Sequence, residues 1–168
     1  GDMLYQKEIV ISPKDTYASL HDKLMVLGGE AIVEALPLLE QGKLVPRKQE
    51  DALSCYAHLI DKTMGELDFT KSAEILDRLI RGLNPWPSAY TTYHGKQLKV
   101  WEAEPVKSPK AGKPGEILAV EKDAVLVAAG SGALRITSLQ LSGKKRMSAH
   151  DFLLGVRMTP GEILGCEE

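Results

Sequence analysis

Residues 84–103 read NPWPSAYTTYHGKQLKVWEA, and the fold is decided in this stretch. Proline on both sides of Trp86 forces an extended corner and ends any helix arriving before it. Beyond the corner, Ala89–Tyr93 and Gln97–Ala103 carry the β-branched and aromatic residues of strands, and His94–Gly95 between them makes a tight hairpin connection. Working outward toward the C-terminus, Glu116–Val120, Ala124–Ala129 and Leu134–Leu141 read as further short strands. A Pro/Gly/Lys loop at Lys107–Gly115 and a β-turn at Gly130–Ser131–Gly132 separate them. Five strands at this spacing predict a compact OB-like β-barrel, an architecture used to hold single strands or shaped RNA. A closing helix from Ser148, with Phe152, Leu153 and Leu154 facing inward, completes the unit.

Working outward toward the N-terminus, Ser72 or Thr70 caps a helix whose apolar face is Ile75, Leu76, Leu79, Ile80 and Leu83. Residues 45–62 lose apolar periodicity and read as a linker. Before it, Leu4–Ile11 reads as a strand, and a helix begins at Ser12–Pro13 with Leu20, Leu24, Leu27, Ala31, Ile32 and Leu36 at helical spacing, stopping at Gly42. Gly28–Gly29 and Pro37 fit one bent helix or two shorter ones equally well. The expected division is 1–44, a strand–helix remnant of an α/β, Rossmann-like unit; 45–62, linker; and 63–168, the barrel domain. The fold class is therefore mainly β with flanking helices. The first piece is too small to enclose a core by itself, so its apolar faces should pack on the barrel, on a preceding part, or on a second copy through residues 1–42.

The chain has 168 residues and a net charge of −2, which conceals an asymmetry. Residues 1–93 hold 10 basic against 14 acidic side chains, residues 94–146 hold 10 against 5, and residues 147–168 hold 1 against 4. The middle piece is a candidate polyanion-facing surface, although lysines on solvated strand faces are ordinary too. No stretch approaches the ~18 consecutive apolar residues of a membrane span, and no secretory signal is visible, so a cytoplasmic location is expected. Cys55 and Cys166 lie far apart without metal-ligand spacing and read as incidental thiols. His21, His58, His94 and His150 have neither a nucleophile nor a metal partner at a telling spacing, so each reads as a surface histidine, and no catalytic residue or metal site is expected.

Three stretches carry a more specific signal: RLIRGLNPWPSAYTTYHGKQLKVWEAE at 78–104, PGEILAV at 114–120 and LRITSLQLSGKKRMSAHDFLLG at 134–155. In order, spacing and wording they resemble the C-terminal domain of the methionyl-tRNA formyltransferases. GDMLYQKEIVIS at 1–12 and DTYASLHDKLMVLGGEAIVEALPLLEQGKL at 15–44 resemble the last strand and helix of that family's formyltransferase domain. The resemblance implies a whole enzyme that passes a formyl group from the co-substrate 10-formyltetrahydrofolate to the amine of methionyl-initiator-tRNA. It also implies that the catalytic Asn, His and Asp precede Gly1, so that Asp2 is not the acid, no folate is held here, and this portion alone is inactive without the N-terminal catalytic domain.

Lys144, Lys145 and Arg146, at a strand-to-helix junction, are the leading candidates for phosphate contacts, with Lys96, Lys99 and the loop residues Lys107, Lys110 and Lys113 behind them. Trp86 and Trp101 are expected as core anchors, the first fixed by prolines and the second framed by alternating strand residues, and Asn84 as a cap on the helix end. The chain departs from the family's linker pattern: Leu59 stands where a lysine is usual, and Glu66 precedes Leu67–Asp68–Phe69. Lys62 is the nearest substitute cation. Two competing readings are a related sugar-nucleotide formyltransferase and a non-catalytic RNA-binding module. The run Gly143–Arg146 argues against the first, and the orphan segment 1–42 against the second.

Overall fold

The computed structural model describes residues 1–108 and 110–165, so Cys166 lies outside the described residues. The chain divides into two compact units, 1–59 and 60–168.

In the first unit, Tyr17–Glu40 forms a single helix, α1, that carries Pro37 within it. Its start differs from the expected Ser12–Pro13. Thr16 is the N-cap: its side chain accepts from the Ser19 N–H (3.2 Å) while Ser19 Oγ accepts from the Thr16 N–H (3.0 Å). Ser12 instead opens a turn whose Asp15 carboxylate accepts from the Ser12 N–H and from Lys23. Lys23 first, then the Ser12 N–H and the Ser19 hydroxyl, hold Asp15 down at about 2. The expected strand Leu4–Ile11 does not form. Only Met3 makes a bridge, with Arg47, because a strand needs a neighbouring ladder to satisfy its backbone and this segment has none. Lys7 ties the segment to Glu34 on α1 at 2.7 Å. No residue of α1 is buried, and Met25, Ile32, Val33 and Leu36 stand in solvent.

Among its described residues the second unit holds an antiparallel sheet and two α-helices. The helix α2 spans Ala73–Gly82, capped by Ser72, with Leu76 and Ile80 buried. Ile75, expected on that face, is 50% exposed: a ten-residue helix lying on a curved sheet buries a narrow stripe, and Ile75 falls beside it. The strands are β1 (Ala89–Tyr93), β2 (Lys96–Val106), β3 (Ile117–Val120), β4 (Val125–Ala128), β5 (Ala133–Leu141) and the short β6 (Met147–Ser148), followed by α3 (Ala149–Gly155). The pairing order is β1-β2-β5-β4-β3, with β6 on β5. His94 and Gly95 both have positive φ (47° and 67°), the geometry of the hairpin expected there. Phe152 of α3 is buried, but Leu154 is 78% exposed, since three consecutive residues of one helix cannot share a face.

A common core of α2, α3 and strand residues such as Leu98, Val100, Leu134 and Ile136 fills the inside, each large aliphatic side chain contributing about 1.5–3 kcal/mol by its burial. The β4–β5 turn holds the start of α2: the Ala73 N–H donates to Ser131 C=O (2.9 Å) and the Gly130 N–H to Lys71 C=O (2.8 Å). A Cβ on residue 130 would lie 1.9 Å from the Thr70 oxygen, so only glycine permits this approach.

The two edge strands are joined by the C-terminal segment. The Gly165 N–H donates to Thr92 C=O on β1, while Leu164 and Glu162 bond Gly115 and Ile117 beside β3, at 2.8–2.9 Å. Both edges are thereby covered, as a small β-fold requires. Tyr93 locks this segment by placing its one hydroxyl proton between two acceptors, Arg157 C=O (3.1 Å) and the Glu162 carboxylate (3.0 Å). Burial, then the Glu162 bond, push Tyr93 up to about 12. An acid whose folded value is raised keeps its full contribution while the unfolded chain is also protonated, below about pH 10, and loses it as pH climbs from there through 12. In a tyrosinate absorbance titration, Tyr93 should be the last component to ionise, and Tyr93→Phe should delete it. A wild-type titration ending at the ordinary tyrosine range would contradict the lock.

Candidate nucleic-acid interface

The register between β2 and β5 builds the site. Pairing passes from Val100↔Leu139 to Glu102↔Ser138, skipping Trp101, and a second irregularity follows before Ala103↔Ile136. Trp101 is thus a bulge residue. Leu98 and Val100 point into the core and Ala103 packs against it, but Trp101 and Glu102, which strict alternation would send to opposite faces, both reach the outer face. The Trp101 carbonyl accepts from Asn84 Nδ2 at 3.1 Å, so Asn84 ties the α2–β1 corner to β2 rather than capping α2.

Neither tryptophan is the expected core anchor. Trp86 is 55% exposed: the flanking prolines fix its backbone without burying its ring. Trp101 is half-buried on the outer face, where alternation with the inward Leu98 and Val100 places it, and the bulge turns Glu102 out beside it. Its indole Nε1–H donates to Gln140 Oε1 (3.0 Å), and the Gln140 amide donates in turn to Lys144 C=O (2.9 Å). The Arg146 guanidinium lies over the indole ring at 5.0 Å and the Lys99 ammonium at 5.7 Å.

Arg146 is further engaged by Ser138 Oγ, to which its Nε donates (3.2 Å), and by an ion pair with Glu102. Lys144 and Lys145 are exposed on the turn between β5 and β6. The Ser142 N–H donates to Gln97 C=O (2.9 Å), which sets this turn beside the start of β2, where Lys96 lies exposed. The structure therefore brings Lys96, Lys99, Lys144, Lys145 and Arg146 to one end of the sheet. Lys113, with Lys107 and Lys110, sits in the loop that leaves β2 at its other end, about 30 Å away along the strand. Arg135 on β5 is neutralised by Glu104, Glu121 and Asp123 at 2.8–3.0 Å.

Gln140 and Glu102 were not among the residues singled out from sequence. Their roles come from cross-strand register, which a lone glutamine or glutamate does not announce. Among the described residues no cluster of His, Cys, Asp or Glu could hold a metal ion, and no helix is long and apolar enough to cross a membrane.

The arrangement is a basic, aromatic-backed face on a small β unit, and the comparisons fit it. The family described as formyl transferase, C-terminal domain, matches residues 59–157. The chain belongs to this family. Among its curated relatives, the methionyl-tRNA formyltransferase of Geobacter metallireducens is 48% identical over 98% of this chain and 52% of its own length. The enzyme of the same name from Alkaliphilus metalliredigens is 43% identical over the whole chain and 54% of its own length. The chain spans about half the length of the curated relatives it matches. A crystal structure of a HypX variant from Aquifex aeolicus shares the fold with a TM-score of 0.66, at 22% identity over 93% of this chain and 29% of that one. The structure of HypX in complex with tetrahydrofolic acid gives 0.55, at 24% identity over 74% of this chain and 22% of that one.

The two rings give a direct check on the geometry. Trp86→Phe should remove most of the acrylamide-quenchable tryptophan fluorescence, whereas Trp101→Phe should remove the less accessible component. Equal quenching of both variants would contradict the assignment.

Proposed function

We propose that this chain is the tRNA-holding part of a methionyl-tRNA formyltransferase, and that its basic end grips the phosphate backbone of initiator tRNA. The observation that carries this reading is the convergence of five cations, Lys96, Lys99, Lys144, Lys145 and Arg146, at one end of a sheet in a chain whose relatives bear that name. A duplex carries one negative charge per about 1.7 Å of axis, so a few ordered cations on one rigid turn meet several phosphates at once. Phosphate contacts of this kind orient the RNA without reading its sequence.

In the whole enzyme the formyl group of 10-formyltetrahydrofolate goes to the methionine α-amine, and the residues that move it belong to the N-terminal catalytic domain. This portion alone is expected not to transfer formyl groups. The exposed apolar side chains of α1 (Met25, Ile32, Val33, Leu36) support the view that residues 1–42 pack against that catalytic domain, with pairing of two copies the outcome for the isolated portion. Initiation of translation in a bacterium would place the enzyme in the cytoplasm.

The test is binding of initiator tRNA across a salt series. At ~0.9 per phosphate neutralised, Lys144→Ala with Lys145→Ala should reduce the slope of log affinity against log salt by about two. Arg146→Ala added to them should reduce it by less than one more, because that guanidinium is already paired with Glu102. An unchanged slope would move recognition to another surface.

A further inference from the structure

We infer that Trp101 and Gln140 are positioning residues for polyanion binding: they hold the Lys144–Lys145 turn in the geometry that meets phosphate, while Arg146 serves as its strut. The inference rests on the proposed role of that turn.

The turn has little else to hold it. Within it, Gly143 has φ 77°, and the Lys144 N–H donates to Leu141 C=O at 2.9 Å, closing a tight reversal whose outward side is solvent. From its middle a tether runs from Lys144 C=O to the Gln140 amide and on to the Trp101 indole N–H. Gln140 stands opposite Lys99 in the β2–β5 ladder, so the same cross-strand pair supplies one cation and the tether of two others. Arg146 closes the turn from its other end by stacking on the same ring and pairing with Glu102 and Ser138. Exposed contacts of these kinds are individually weak, so no single one fixes the turn. The indole is the member shared by the tether and the strut, and the bulge that turns Glu102 out beside it lets Arg146 stack on the ring and pair with that carboxylate at once.

Two orphan lysines on a loose turn lose more freedom on binding than two held in place, and only held ones match a fixed phosphate spacing. The positioning role therefore has a signature that an ordinary stability role lacks. Gln140→Ala and Trp101→Leu remove no charge, yet they should lower the number of phosphates engaged.

The experiment measures initiator tRNA binding to the 168-residue chain over a salt series for wild type, Gln140→Ala, Trp101→Leu and Lys144→Ala/Lys145→Ala, with thermal unfolding of each. Gln140→Ala should weaken binding about fivefold at low salt, the equivalent of one lost hydrogen bond, and Trp101→Leu more. Both should lower the salt slope by about one or more with unfolding midpoints near wild type. Added to the double lysine variant, Gln140→Ala should change nothing further, since the lysines it positions are gone.

Wild-type slope in Gln140→Ala overturns the inference while leaving the proposed function standing. Weaker binding at an unchanged slope does the same, because it would make Gln140 a direct contact rather than a support. Should Trp101→Leu fail to fold, Gln140→Ala decides alone, its side chain being on the outer face. A wild-type chain that does not bind tRNA overturns the proposed function and the inference together.

Discussion

The pairing of β2 with β5 is the constraint on which the second unit depends. It is the longest ladder of the sheet and joins the β1 hairpin to the β4–β3 pair, so losing it would separate the two halves. Its inner residues, Leu98, Val100, Leu134, Ile136 and Leu139, are fully buried and fix the register, since a one-residue slip would turn all of them outward. Once that register is set, the outer face follows: Lys99 beside Gln140, Trp101 outward by alternation, and Glu102 turned out next to it by the bulge. The basic turn is then suspended from groups whose positions the core has already decided.

This explains how a chain with a net negative charge presents a positive end. The basic excess of residues 94–146 is then sorted along the ladder by which cations meet carboxylates. Arg135, near the start of β5, is engaged by three carboxylates and Arg146 by one, so the lysines at the start of β2 and on the β5–β6 turn carry the outward field. The lysines of the 107–115 loop belong to the opposite end and cannot join them. Exposed ion pairs of this kind contribute little to stability, but they decide which cations remain available to a ligand.

Much of the sheet is legible in the sequence alone, because alternation and turn residues are local signals. The corner at Asn84–Pro87, the His94–Gly95 hairpin and the strand after Gly132 fall where those signals put them. What failed to read shares one physical feature: it depends on a partner distant in sequence. Leu4–Ile11 has strand composition but finds no ladder. Glu102 should face the core by alternation until the irregular register with β5 turns it out beside Trp101. Prolines around Trp86 report backbone direction and say nothing of what covers the ring. The closing segment 161–165 is too short and glycine-bounded to read as a strand, and its order comes from its bonds to both sheet edges. In the site, the cations were evident as residue types, whereas their division into free lysines and an engaged arginine required the positions of Glu102, Ser138 and Gln140.

The account turns on the Trp101 indole being held by Gln140 while lying on the outer face, and solvent exchange of the two tryptophan indole protons, measured by NMR on the isotopically labelled chain, tests this most directly. The account predicts one slowly exchanging indole proton, lost in Trp101→Phe and accelerated in Gln140→Ala, beside one fast proton belonging to Trp86. Two fast protons, or a slow one that is indifferent to Gln140, would contradict it.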